Sequence, residues 1–303
     1  MNFKKSLFLP FFFSIVSSVS FAQSSHFNDL LDAAAQGNAD VQYNLGEMYD
    51  KGQGVAQSYE KAFEFFSKSA AQGNANAQFS LAGMYLNGDG VAQSDVKAFE
   101  WFSKSAVQGN AKAQNNLAAM YYDGLGVTQS DVKACEWFSK SAVQGNVNAQ
   151  YSLAMMYYDG RGVAQSDVKA FEWFSKSEAK RGMAAAQYGL GIMYDKGRGV
   201  AQSDVKAFEW YSKSAAQGHV DAQYNLAVMY ETGKGTSKNT ILANEWYLKA
   251  ADNGDAMAQF NIGNNYLYGR NGLPKNRTQA LKWFKKAADN GNAQAKLVLA
   301  GLQ

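Results

Sequence analysis

Residues 90–106 read GVAQSDVKAFEWFSKSA, and nearly the same words begin again at Gly126, Gly162 and Gly199. Ser94-Asp95 offers short oxygen-bearing side chains that can cap free amides, so a helix is predicted to start there. Ala98, Trp101, Phe102 and Ala106 then recur at the spacing of one helical face. Gly109 is a natural left-handed stop. Glu100 and Lys104 stand four apart in the favourable order, which predicts an ion pair on a solvated face. The same pair of residues recurs from Glu64–Lys68 to Glu245–Lys249.

Working backwards, a second helix precedes this one. It starts near Asn74, places Ala77, Leu81, Met84 and Tyr85 on one stripe, and ends at Gly88-Asp89-Gly90. Each unit is thus a helical hairpin too small to bury its own apolar stripe, and stacking on like units supplies that burial. Aligning the chain on Gln42, Gln78, Gln114, Gln150, Gln187, Gln223 and Gln259 gives seven units. Their bounds are 38–73, 74–109, 110–145, 146–182, 183–218, 219–254 and 255–291. Residues 23–37 and 292–303 read as capping helices. The tryptophans at 101, 137, 173, 210, 246 and 283 are expected to pack between helices. A chain of 303 residues would ordinarily hold about two domains, but repetition overrides that prior.

The words Ala-x-Ala-Gln-x-x-Leu-(Gly/Ala)-x-Met-Tyr, Gly-x-Gly-Val and Lys-Ala-x-Glu-Trp-(Phe/Tyr), with a closing Gly, resemble the Sel-one-like repeat, a relative of the tetratricopeptide repeat. The resemblance covers nearly all of the chain after its first segment. It implies an all-α, right-handed α/α solenoid whose first helices line a concave surface, and a noncatalytic protein-interaction scaffold of the cell envelope or exterior. Some cysteine-rich exported relatives are associated with penicillin binding or weak β-lactam hydrolysis, which stands as the alternative. Those relatives carry a disulfide in each unit, whereas Cys135 is the one cysteine here.

The N-terminus reads as an export signal. Lys4 and Lys5 carry charge, Leu7 to Val19 is apolar, and Ser20-Phe21-Ala22 supplies small residues for cleavage after Ala22. The apolar stretch is too short for a stable membrane span of about 20 residues. A periplasmic or secreted location is therefore expected. Without residues 1–22 the chain carries 27 basic against 26 acidic side chains. With no basic cluster, this balance gives no footprint for nucleic acid. The oligomeric state is left open by the sequence.

Chemistry has few places to reside. His26 and His219 lie far apart, and no pair of histidines has metal-ligand spacing, so neither metal nor cofactor is expected. His219 occupies an N-cap position held elsewhere by Asn74, Asn110 and Asn146, and Cys135 stands where Phe63, Phe99, Phe171 and Phe208 stand. Both read as structural, so no catalytic residue is assigned. The Gly-x-Gly words read as turns, with Asp89, Asp123, Asp159 and Asp195 in turn or cap roles.

Opposite its packing stripe, each first helix offers two rows. One reads Asn44, Ser80, Asn116, Ser152, Gly189, Asn225, Asn261. The other reads Glu47, Gly83, Ala119, Met155, Ile192, Val228, Asn264. The first row is small and rich in amides, and the second turns apolar in its middle. Asn116, Ala119, Ser152, Met155, Ile192, Asn225 and Val228 are the expected binding residues for a protein or peptide partner of unknown identity.

Overall fold

The computed structural model describes residues 27–302. The export signal and His26 lie outside the described residues. Every regular element among those described is a helix. The helices divide into two compact units, one up to Ser130 and one from Asp131 onward. The first unit holds α1 (residues 27–35), α2 (Ala39–Lys51), α3 (Tyr59–Ala71), α4 (Ala75–Asn87), α5 (Asp95–Val107) and α6 (Ala111–Asp123). The second holds α7 (Asp131–Val143), α8 (Val147–Asp159), α9 (Asp167–Arg181), α10 (Ala184–Lys196) and α11 (Asp204–Ala216). It continues through α12 (Val220–Thr232), α13 (Thr240–Asp252), α14 (Ala256–Tyr268), α15 (Arg277–Asp289) and α16 (Ala293–Leu302). Within each unit, helices pack chiefly on their neighbours in sequence, as in an all-α repeat solenoid.

The local sequence dictates where each helix begins and ends. The Asn74 side chain accepts a hydrogen bond from the Ala77 N–H, and Ser94 accepts one from Lys97 N–H. Gly88 closes α4 with a left-handed φ of 83° and donates its N–H to the Met84 carbonyl. The stripes then meet. Ala77, Leu81 and Met84 of α4 are buried with Ala62, Phe66 and Ala70 of α3, and Trp101 covers part of the same cluster.

Buried polar groups join one hairpin to the next. Gln78 Nε2 donates to the Ala70 carbonyl at the end of α3, and Gln78 Oε1 accepts from Gln108 Nε2. Gln114 repeats the reach to Ala106, and in the second unit Gln223 and Gln259 do the same to Ala215 and Ala251. Ser105 Oγ donates to the Ala75 carbonyl, closing the hairpin from the other side. Gln78, Gln114, Gln223, Gln259 and Ser105 are buried, and these bonds satisfy them there, as burial demands.

Trp101, Trp173, Trp210 and Trp246 pack against the buried clusters between helices as expected, and Trp283 is itself buried. The most deeply buried aromatic of the second helix is the residue after the tryptophan position: Phe66, Phe102, Phe174, Tyr247 and Phe284 are almost wholly enclosed. Trp101, Trp137, Trp173, Trp210 and Trp246 are only half-buried. The expected Glu–Lys pairs give way. Lys68 binds Glu64 in the first repeat, where Phe65 stands in place of tryptophan. In the later repeats the lysine lies over the tryptophan, with Nζ 3.8 Å from the Trp101 ring centre and 3.7 Å from that of Trp246. An indole face attracts an ammonium more strongly than a phenyl face does. Finally, the second glycine of Gly-x-Gly is a seam as well as a turn. At Gly126 (φ 66°) an added Cβ would lie 2.2 Å from the Asp95 carbonyl oxygen at the start of α5 in the preceding repeat.

Candidate binding face on the first helices

In the first unit, Asn116 and Ala119 sit half-buried on α6. Asn115 Nδ2 donates to Asn116 Oδ1 at 3.2 Å. Neither Asn116 nor Ala119 lines the cavity of about 320 Å³, mixed polar and apolar, formed by α2, α4 and the start of α6. That cavity is bounded by Tyr43, Glu47, Asn76, Phe79, Ser80 and Lys112, among others.

In the second unit, Met155 of α8 and Ile192 of α10 come together. They line one apolar cavity of about 90 Å³ with Tyr151, Tyr158, Phe174, Ala185, Tyr188 and Gly189. Phe174 is contributed by α9, the helix that joins the two first helices. Ser152 and Val228 are half-buried but do not line the cavity. Asn225 lies beside the hydroxyls of Tyr188 and Tyr211 and pulls their pKa down against the larger upward push of burial. Asn261 acts on Tyr224 and Tyr247 in the same way. Part of the amide row therefore faces tyrosines of the preceding repeat.

Tyr188 and Tyr224 belong to a column of rings that sequence reasoning missed, one position after each glutamine anchor: Tyr43, Phe79, Tyr151, Tyr188, Tyr224 and Phe260, with Asn115 as the exception. Each ring tilts against the buried aromatic of its own hairpin, as Tyr151 does against Phe174 at 5.8 Å and Tyr188 against Tyr211 at 5.8 Å. Burial pushes the Tyr151 and Tyr188 hydroxyls above the ordinary phenol value, with nearby Asp159 and Asp221 adding to the effect. The readable signal was the fixed offset from the glutamine, which puts the ring on the edge of the packing stripe.

Gly189 breaks the amide row. An added Cβ there would meet the Phe174 ring at 2.9 Å, so the glycine lets α10 and this ring approach. Tyr158 is held from outside. The Arg198 guanidinium lies 3.6 Å from its ring centre and donates to the Tyr158 carbonyl at 3.0 Å and to Asp167 at 2.7 Å.

The side chains best suited to chemistry serve structure. Cys135 is buried, and burial pushes its thiol pKa up, away from the reactive thiolate. His219 caps α12, with Nδ1 accepting from the Ala222 N–H, and stacks on Tyr188 at 4.6 Å. Asp195, expected in a turn or cap role, instead accepts from Lys196 and from Lys234 in the loop after α12, in the next repeat. Among the described residues no group of three or more His, Cys, Asp or Glu could hold a metal ion, and no helix is long and apolar enough to cross a membrane.

Comparison with known proteins bears on this architecture. A protective antigen present in uropathogenic Escherichia coli strains, displaying an SLR fold, superposes with a TM-score of 0.81 at 34% identity. The match covers 91% of this chain and 58% of that one, so this chain spans less than two thirds of the antigen's length. A Sel1 repeat protein from Oxalobacter formigenes gives a TM-score of 0.74 at 32% identity, over 90% of this chain and 79% of that one. No protein with a curated function matches. The Sel1 repeat family model matches seven times, at residues 39–74, 75–110, 111–146, 147–180, 184–219, 220–255 and 256–292. On those seven matches, the chain belongs to the Sel1 repeat family.

Proposed function

We propose that the protein is a noncatalytic scaffold of the cell envelope or exterior that holds a protein or peptide partner on the face of its first helices. Sel1 repeat proteins are in general protein–protein interaction scaffolds. The observation that carries the reading to this face is the apolar cavity shared by Met155 and Ile192. Concave apolar sites with a few polar groups beside them are where partners anchor. The structural employment of Cys135 and His219 supports the noncatalytic part.

Cross-linking the protein in its native cell should recover a partner. The triple variant Met155→Glu, Ile192→Glu, Val228→Glu should lose it while its helical circular dichroism is unchanged. Undiminished capture by that variant overturns the assignment of the face. Export is tested separately, by sequencing the N-terminus of the protein in the exported fractions. It should begin at Gln23, and a chain that keeps Met1 and stays in the cytosol rejects the location.

A further inference from the structure

We infer that the cavity between α8 and α10 is an anchor pocket for an extended peptide carrying an aliphatic residue flanked by lysine or arginine. The inference rests on the reading of this face as a protein-binding wall and names the chemistry of what it holds.

Size limits the anchor. A closed cavity of about 150 Å³ accepts benzene, so the roughly 90 Å³ here suits one aliphatic side chain rather than a ring. The walls agree, because Met155, Ile192 and Phe174 offer only apolar surface. Gly189 lets the Phe174 ring close against α10 as one wall of the pocket, and its counterparts in the neighbouring repeats are Ser152 and Asn225. The pocket thus belongs to this one seam rather than to the repeat in general.

Charge limits the flanks. The three first helices α8, α10 and α12 contain Asp159, Asp195, Asp221 and Glu231 against the single cation Lys196. Asp195 is matched by Lys196 and Lys234, and Glu231 accepts from two neutral donors, Tyr247 and Asn271. Asp159 and Asp221 are exposed and in no ion pair. Asp159 directly follows Tyr158, and Asp221 lies two residues beyond His219, which stacks on Tyr188, and both tyrosines line the cavity. The one guanidinium against the lining, Arg198 on Tyr158, is already engaged by Asp167. An apolar pocket with uncompensated carboxylates near two of its rings is complementary to a cationic peptide with a greasy centre, and such fields chiefly steer and select partners.

The test uses the full chain and three fluorescent heptapeptides, each Gly-Ser-X-Z-X-Ser-Gly, read by anisotropy at low salt. With X-Z-X as Lys-Leu-Lys, binding should be about tenfold tighter than with Lys-Gly-Lys or Glu-Leu-Glu, since burying one leucine side chain and reversing two charges each reach that scale. Ala185→Leu should fill the pocket and remove the preference for leucine. Asp159→Lys with Asp221→Lys, both at exposed positions, should remove the preference for lysine without altering the fold. Equal binding of the three peptides, or preferences that survive both variants, overturns the inference. If cross-linking recovers a partner through Met155, Ile192 and Val228 while the peptides bind alike, the pocket fails and the scaffold stands. If the peptides discriminate while the triple variant captures as well as the parent, the face assigned to the partner fails and the pocket stands.

Discussion

At the first turn of α12 an imidazole stands where α4, α6 and α8 begin with asparagine. Burial holds the His219 pKa below the ordinary value of about 6.5 against the opposing pull of Asp221. A helix N-terminus also disfavours an added positive charge. The unfolded chain therefore binds a proton that the folded chain refuses, so this stability is whole above about pH 6.5 and is lost as the pH falls below it. The urea midpoint should drop between about pH 7.5 and about pH 5.5, and His219→Asn should shrink that drop while keeping the cap. Glycine offers a second contrast at this scale. Gly109 and Gly126 both have positive φ, but an added Cβ meets nothing within 4 Å at Gly109 and a carbonyl oxygen at Gly126. Gly109→Ala should cost about 1 kcal/mol from φ alone, and Gly126→Ala about 3 kcal/mol or more, because backbone must move. Denaturant titration of the two variants separates these causes.

Helix α9 departs from its counterparts. It runs for 15 residues where α5, α7 and α11 run for 13, and it ends at Gly182 with a left-handed φ of 58°. The next helix, α10, opens on Met183, which makes no side-chain capping bond. Gln150 at the same repeat has a buried Oε1 without a hydrogen-bond partner, whereas Gln78 and Gln187 accept from the glutamines of their own second helices. The altered end of α9 thus coincides with a break in the glutamine chain. Replacing Met183 with asparagine should supply the missing acceptor for the Ala186 N–H and stabilise the protein by about 1 kcal/mol. Hydrogen exchange at the first turn of α10 should slow in step.

Across the whole molecule, two kinds of contact join successive hairpins, and they differ in weight. In the second unit Arg161 pairs with Asp131, Arg198 with Asp167 and Lys234 with Asp204. These pairs are partly exposed, and each should contribute about 0.2–1 kcal/mol. Asp167→Asn should therefore shift the urea midpoint little. Gln78 is buried, and Gln78→Ala removes its two hydrogen bonds, to the Ala70 carbonyl and from the Gln108 amide, a loss of about 2 kcal/mol. The repeats made this architecture readable, because caps, stripes and stops each recur and confirm one another. The binding face was less readable. Met155 and Ile192 could be placed on it, but the cavity between them depends on Phe174 of another helix and on the absence of a side chain at Gly189. The tyrosine column was hidden because a ring at the edge of a stripe has the same periodicity as one in its middle. Asn225 shows the same ambiguity, since an amide that looks free in one dimension lies beside the Tyr188 hydroxyl across a seam in three.

The glutamine reach also gives the array a direction. Gln42, Gln78, Gln114, Gln150, Gln223 and Gln259 each reach a carbonyl that lies eight residues earlier, at the end of the helix already made. A chain emerging amino end first can latch every new hairpin onto a finished neighbour as it appears, like a zipper closed from one end. Growth from the other end would leave each amide waiting for its anchor.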